Sequence, residues 1–201
     1  MTNGHHQPRL APLEASEWGE AEYAAFGTML GLHTDQVPRA GSGHKYDPLN
    51  FSVIGTMVRH PDLARAFLSF NSYQLQRSSL PVRWREFAIL RVAHVRRSAY
   101  EWGQHVKIAV ESGITAGEIE QVALGNSGFD GVDRVVLEAT DELLGDGRLG
   151  DEGWRALNAE FSTHQVMDLI FIVGTYTMLA MAFESWQLTP EPGTAPLPPA
   201  P

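Results

Sequence analysis

The chain has 201 residues, 43% of them hydrophobic, enough to bury one ordinary core, and a formal net charge of −9. That charge argues against a nucleic-acid partner, because phosphate-backbone binding draws most of its affinity from basic surface. There is no cysteine, which excludes thiol and disulfide chemistry and fits a reducing compartment, and the N-terminal run from Met1 to His6 lacks the basic-then-apolar pattern of a secretory signal, so the cytoplasm is the expected location.

Helical spacing of the apolar residues, with short Gly/Pro punctuation and few alternating runs, predicts an all-α chain forming a single domain over 1–201 with its helical core over 12–188. Ser16 is a candidate cap for a helix through about Leu30, and an irregular Gly/Pro/His segment follows from His33 to Pro48. Helices are expected from Asn50 to Arg59 and from Pro61 to Arg77, proline being tolerated in a first turn. Pro81 opens the next helix, and structure restarts at Ser98 and runs to about Ser112, where Gly113 supplies a stop. Thr115 and Glu118 have capping-box spacing for a short helix through Leu124. Further helices are expected over Gly131 to Leu144, Asp151 to Phe161 and His164 to Ser185. The apolar run from Leu169 to Phe183 is shorter than the roughly 20 residues that a bilayer core needs and is interrupted or flanked by polar residues, so a buried central helix is expected and no membrane partner. Residues 189–201 are proline-rich and cannot sustain helix or ladder hydrogen bonds; they are expected to lack order or to wrap a neighbouring subunit.

The segment from Arg85 to His105 carries the chemistry. It places Glu86, Ser98, Glu101 and His105 on two adjoining helices, with Glu101 and His105 four apart on one face. Glu86 shares an apolar stripe with Ile89, Leu90 and Ala93, so its carboxylate needs a partner: burial raises its pKa and a nearby arginine lowers it. The plain alternative is a Glu held by Arg83 for structure alone. His105 shares a face with Trp102 and Ile108; a lone histidine there is more often a satisfied core residue, but a carboxylate one turn earlier can fix its tautomer. Glu101 can orient His105, take a proton itself or pair with Arg97. Ser98 has no Gly-x-Ser-x-Gly elbow around it and reads as a helix N-cap rather than a nucleophile, with His94 a reserve acid/base group. Tyr100 and Trp102 are candidate pocket walls. The arginines Arg77, Arg83, Arg85, Arg91, Arg96 and Arg97 crowd the same segment; they read either as structural ion pairs or as a site for an anionic substrate, with Arg83 and Arg91 the substrate-binding candidates. Glu86, Glu101 and His105 are metal-capable residue types without a His-x-x-x-His or Glu-x-x-His pair, and no metal or cofactor is expected.

Glu86 and the Ser98-x-x-Glu101-x-x-x-His105 run resemble the carboxymuconolactone decarboxylase and AhpD-like superfamily, in which a glutamate precedes a Cys-x-x-Cys-x-x-x-His helix. Ser98 and Glu101 stand at the two cysteine positions, so the glutamate and histidine carry over and the redox pair does not. The resemblance runs more weakly from about Leu80 to Trp186, through Gly113-Ile114, Ala139 to Leu143 and Val173 to Tyr176. It implies an AhpD-like all-α fold, assembled as a homo-oligomer (dimer, trimer or hexamer), with a cofactor-free acid/base site for a small carboxylated lactone or related acid in which Glu86, Glu101 and His105 are catalytic. A hydrolase, an isomerase or a non-catalytic binding protein are the alternatives. A pocket around the three residues favours an enzyme; sealing within salt bridges favours a structural role.

Overall fold

In the computed structural model the described residues are 7–200, so the N-terminal run read for a signal, with His5 and His6, lies outside them. The helical periodicity emerges as nine α-helices and no strand among those residues: α1 Glu20–Leu30, α2 Ser52–Met57, α3 Pro61–Gln76, α4 Val82–Val95, α5 Ala99–Glu111, α6 Ala116–Leu124, α7 Gly131–Asp146, α8 Asp151–Glu160 and α9 Thr163–Trp186. Where length suggested one body, packing divides the described residues into two compact units, one of residues 7–77 with 185–191, the other of 78–184 with 192–200.

The first unit is built on α1 packed against α3. Phe26, Val58, Ala64 and Leu68 are among its most enclosed residues. Ser16 does not cap α1. It lies in a single 3-10 turn, Ala15–Glu17, and α1 begins only after Gly19, because the Glu22 carboxylate accepts the Gly19 N–H at 2.9 Å and satisfies the helix start from inside. The His33–Pro48 segment is not featureless. Asp47 is 3% exposed and accepts the backbone N–H groups of Gly41, Gly43 and Leu49, so one carboxylate organises the loop that leads into α2.

The second unit centres on α4, which packs against α5, α6 and α7, with α8 on α7. Phe87, Leu90, Trp102, Ala109, Val122 and Leu137 form its core. Two of its helix ends share one geometry. After α5, Gly113 adopts φ 86°, and Ile114 N–H bonds back to the Ala109 carbonyl at 3.0 Å. After α4 the same left-handed position is taken by Arg97, φ 59°, with Ser98 N–H on the Ala93 carbonyl at 2.9 Å. The Thr115–Glu118 capping box forms as expected, and those hydroxyl and backbone bonds, followed by Arg83, hold the Glu118 carboxyl down at about 2.

Helix α9 is longer than its apolar run suggested: at 24 residues it meets the length and composition needed to cross a bilayer. Yet Leu169, Ile172, Val173, Tyr176 and Phe183 are buried in the protein. Near its start, Asp168 Oδ2 accepts bonds from Ser78 Oγ (3.0 Å), Ser79 N (2.6 Å) and Ser79 Oγ (2.7 Å). The proline-rich tail forms neither helix nor strand, as its composition requires, but it is held rather than loose: Arg97 and His94 bond to the carbonyls of Pro198 and Pro199. Asp168→Ala leaves the Ser79 N–H and two hydroxyls without their shared acceptor, and a loss of about 1–3 kcal/mol is expected in urea denaturation, read as a lower midpoint at unchanged slope.

Candidate active site

The helix α4 delivers Glu86 to the centre of the second unit, where its side chain has no exposed surface. A buried carboxylate is tolerable only if its oxygens are satisfied. Both are: Arg85 Nε donates to Oε1 at 2.9 Å and His105 Nδ1 donates to Oε2 at 2.7 Å. Burial works to raise the Glu86 pKa, but His105 and then Arg85 outweigh it, and the carboxyl stays below its ordinary value. His105, 6% exposed, is further fixed by the Tyr176 ring of α9, edge-on at 4.9 Å and 90°. With Nδ1–H given to Glu86, Nε2 is the nitrogen left for chemistry.

Glu101 experiences the opposite environment. It lies one turn before His105 on α5 and is 2% exposed, yet neither carboxylate oxygen accepts a well-formed hydrogen bond. Burial pushes its pKa well above the ordinary value; the nearby Ser98 hydroxyl opposes the shift and the Glu184 charge adds to it. Ser98 occupies the N-cap position of α5, but its side chain makes no capping bond. The Ser98 hydroxyl is instead buried without a well-formed hydrogen bond, and the Glu184 carboxyl of α9 lies near the Ala99 N–H at the helix start.

The structure brings Glu86 and His105 together and does not bring Arg83 and Arg91, the candidates for binding substrate, to them. Arg83 makes a two-pronged pair with Asp133 at 3.1 and 2.6 Å and reaches Glu118 at 2.6 Å. Arg91 makes the same kind of pair with Asp141 at 2.6 and 3.2 Å and donates to the Ala123 carbonyl at 2.9 Å. These are the structural ion pairs of the plainer reading. Trp102 is a core residue, its ring tilted on His94 at 6.0 Å, and Tyr100 packs edge-on against Phe183 at 5.3 Å. His94 donates from Nε2 to the Pro199 carbonyl. Burial lowers the His94 pKa; the bond to Pro199 opposes this, while the charges of Arg97 and Arg91 add to it. A concavity of about 400 Å³ on the same unit is lined by Glu138, Asp141, Glu142 and Glu152, a charge that repels an anionic substrate. Among the described residues no group of three or more His, Asp or Glu side chains is placed to hold a metal ion.

From the sequence Arg85 is one arginine among six and no pairing of it with Glu86 is expected, and neither Tyr176 nor Glu184 is a candidate site residue. Neighbours in a helix do not normally face one another, so the Arg85–Glu86 pair has no spacing signature, and the other two reach the site from a distant helix.

Glu101 binds its proton more tightly in the folded than in the unfolded chain. Its stabilising effect is therefore complete below the unfolded value near 4.5 and is lost as pH rises toward the folded value. Glu101→Gln is expected to be close to neutral at pH 4.5 and increasingly more stable than wild type up to pH 8, by at most about 1.4 kcal/mol per pH unit, in urea titrations at each pH. A constant difference across that range contradicts the burial of an unpaired carboxyl.

Residues 61–142 match the sequence profile of the carboxymuconolactone decarboxylase family. In fold the chain is similar to the crystal structure of a protein of unknown function from Agrobacterium tumefaciens, described as a candidate antioxidant-defence protein AhpD, with TM-score 0.60 and 18% identity over 66% of this chain and 93% of that one. It is also similar to the apo debrominase Bmp8, with TM-score 0.65 and 16% identity over 91% of this chain and 92% of that one. No curated protein matches it in sequence.

Proposed function

We propose, from the match of residues 61–142 to the carboxymuconolactone decarboxylase family profile and the similarity in fold to AhpD-like proteins, that the protein is an acid/base enzyme that moves a proton through His105 Nε2, acting on a small carboxylated lactone or a related cyclic acid. The observation that carries the reading is the 2.7 Å bond from His105 Nδ1 to a carboxylate enclosed at the centre of the unit. It fixes the ring and its tautomer and leaves Nε2 as the nitrogen that can take or give a proton, a general acid/base role worth about 10²–10⁴-fold in rate. Glu101, kept protonated by burial, is the matching acid.

In a decarboxylation of this class the bond from ring carbon to carboxylate breaks, carbon dioxide leaves, and the electron pair enters a conjugated carbonyl; carbon then takes a proton. His105 and Glu101 are the two groups suited to supply that proton, and Glu86 acts by holding His105. Arg83 and Arg91 can bind the substrate's carboxylate only by giving up Asp133 and Asp141. Arg83→Ala and Arg91→Ala are therefore expected to lower the thermal midpoint while leaving the KM of the remaining folded enzyme within about two-fold of wild type; a KM rise of an order of magnitude at unchanged stability restores them as substrate ligands. Self-association belongs to the same proposal, and the exposed Met167, Phe171, Met178 and Met181 along α9 favour it.

A second reading, a non-catalytic binding protein, is favoured by the near-complete enclosure of the Arg85–Glu86–His105 chain. One experiment separates the two: turnover of 4-carboxymuconolactone, followed by ultraviolet absorbance and mass spectrometry, with His105→Ala and His105→Asn as controls. Asparagine offers an N–H near the Nδ1 position and so keeps a partner for Glu86, but it cannot shuttle a proton. The proposal expects loss of carbon dioxide by the wild type and a fall in kcat/KM of about 10² or more in a folded Asn variant. Equal turnover by that variant removes His105 from the chemistry, and no turnover by the wild type rejects this substrate.

A further inference from the structure

The C-terminal segment is bound to the second unit as a ligand would be. Pro196, Pro198 and Pro199 have no N–H, so the main chain there offers chiefly carbonyl acceptors. The surface beneath supplies the donors. Arg97 Nη2 donates to the Pro198 carbonyl at 2.7 Å, and His94 Nε2 to the Pro199 carbonyl at 3.0 Å, two successive carbonyls read by two cationic or polar heads. Ala195 and Leu197 pack on the core cluster that contains Trp102.

Two costs in the backbone are explained by this segment. Gly103 lies inside α5, where glycine costs about 1 kcal/mol relative to alanine. A Cβ there would stand 2.8 Å from Thr194 Cβ and 2.9 Å from its Oγ1, so the helix is notched where the segment crosses it. Arg97 holds the left-handed position after α4 that Gly113 fills after α5, at a cost of about 1–2 kcal/mol that glycine would avoid. A glycine would have no side chain to reach Pro198.

We propose that the second unit carries a docking groove for a proline-rich segment, formed by His94, Arg97, Trp102 and Gly103, and that the chain's own Thr194–Pro199 is its resident, replaceable occupant. Proline fixes φ in the range of the polyproline helix before docking, which reduces the ordering cost, and recognition through carbonyls is the mode that such a segment permits. Covalent attachment keeps the local concentration high, so the tail holds its own groove against the same sequence free in solution. This inference stands apart from the chemistry proposed for His105.

The test uses the full chain bearing Leu197→Asp, which removes the tail's apolar anchor, titrated with a synthetic peptide of residues 190–201 and followed through the NMR signals of the Trp102 indole and the His94 ring. The expected result is a saturable shift of both signals toward their wild-type positions in the variant and none in wild type. Adding Arg97→Ala should weaken the peptide by about ten-fold or more, the loss of one charged hydrogen bond. No saturable shift in a folded variant, an equal shift in wild type, or no effect of Arg97→Ala each overturns the proposal. A second variant covers a folding failure: full-length Gly103→Ala should move the Leu197 methyl signals toward unfolded-chain positions, and unchanged methyl signals also overturn it.

Discussion

A carboxylate without solvent, at the middle of α4, is the constraint around which the second unit is arranged. Placing Glu86 there costs several kcal/mol of hydration unless both oxygens are bonded in good geometry. Its own neighbour Arg85 satisfies one oxygen and His105 of α5 the other, so the pairing of α4 with α5 is chemical as well as apolar. His105 in turn needs a wall that holds its plane, and Tyr176 brings α9 into the same arrangement. Three helices meet because one acid has to be accommodated.

The second buried acid shows what happens when no partner is provided. Glu101 is nearly as enclosed as Glu86, but neither of its oxygens has a well-formed hydrogen bond, so burial drives its pKa well above the ordinary value. Two carboxyls on neighbouring helices are thus driven in opposite directions, the one that holds a histidine below its ordinary pKa and the other well above it. A pair of groups whose environments separate their pKa values is the arrangement that lets one site run acid and base steps at a single pH. The profile match over residues 61–142 includes both the glutamate and the histidine, and the chain has no cysteine to support thiol chemistry.

Local signals in the sequence were reliable where the interaction itself is local. The Thr115–Glu118 box, the stop at Gly113 and the start at Pro61 all formed, because capping and left-handed glycine involve residues within one turn. The Glu86 and His105 positions were legible from their motif. Long-range capture was not: Ser98 sits at the N-cap position without a capping bond, and the arginines near the site find their acids 50 positions away, at Asp133 and Asp141. The tail illustrates the same limit. Its prolines correctly forbid helix and ladder, but whether a proline-rich segment is free or docked depends on donors elsewhere, here Arg97 and His94.

Glu86 presets the proton position on His105, and the ring nitrogen NMR of His105 in nitrogen-labelled protein near neutral pH, in wild type and Glu86→Gln, tests this. A protonated Nδ1 coupled to the Glu86 carboxylate is expected in wild type, with a loss or redistribution of that preference in the variant. A wild-type ring with a bare Nδ1 and its proton on Nε2 would contradict it, since the buried carboxylate would then lack its second donor and Nε2 would have no lone pair to offer.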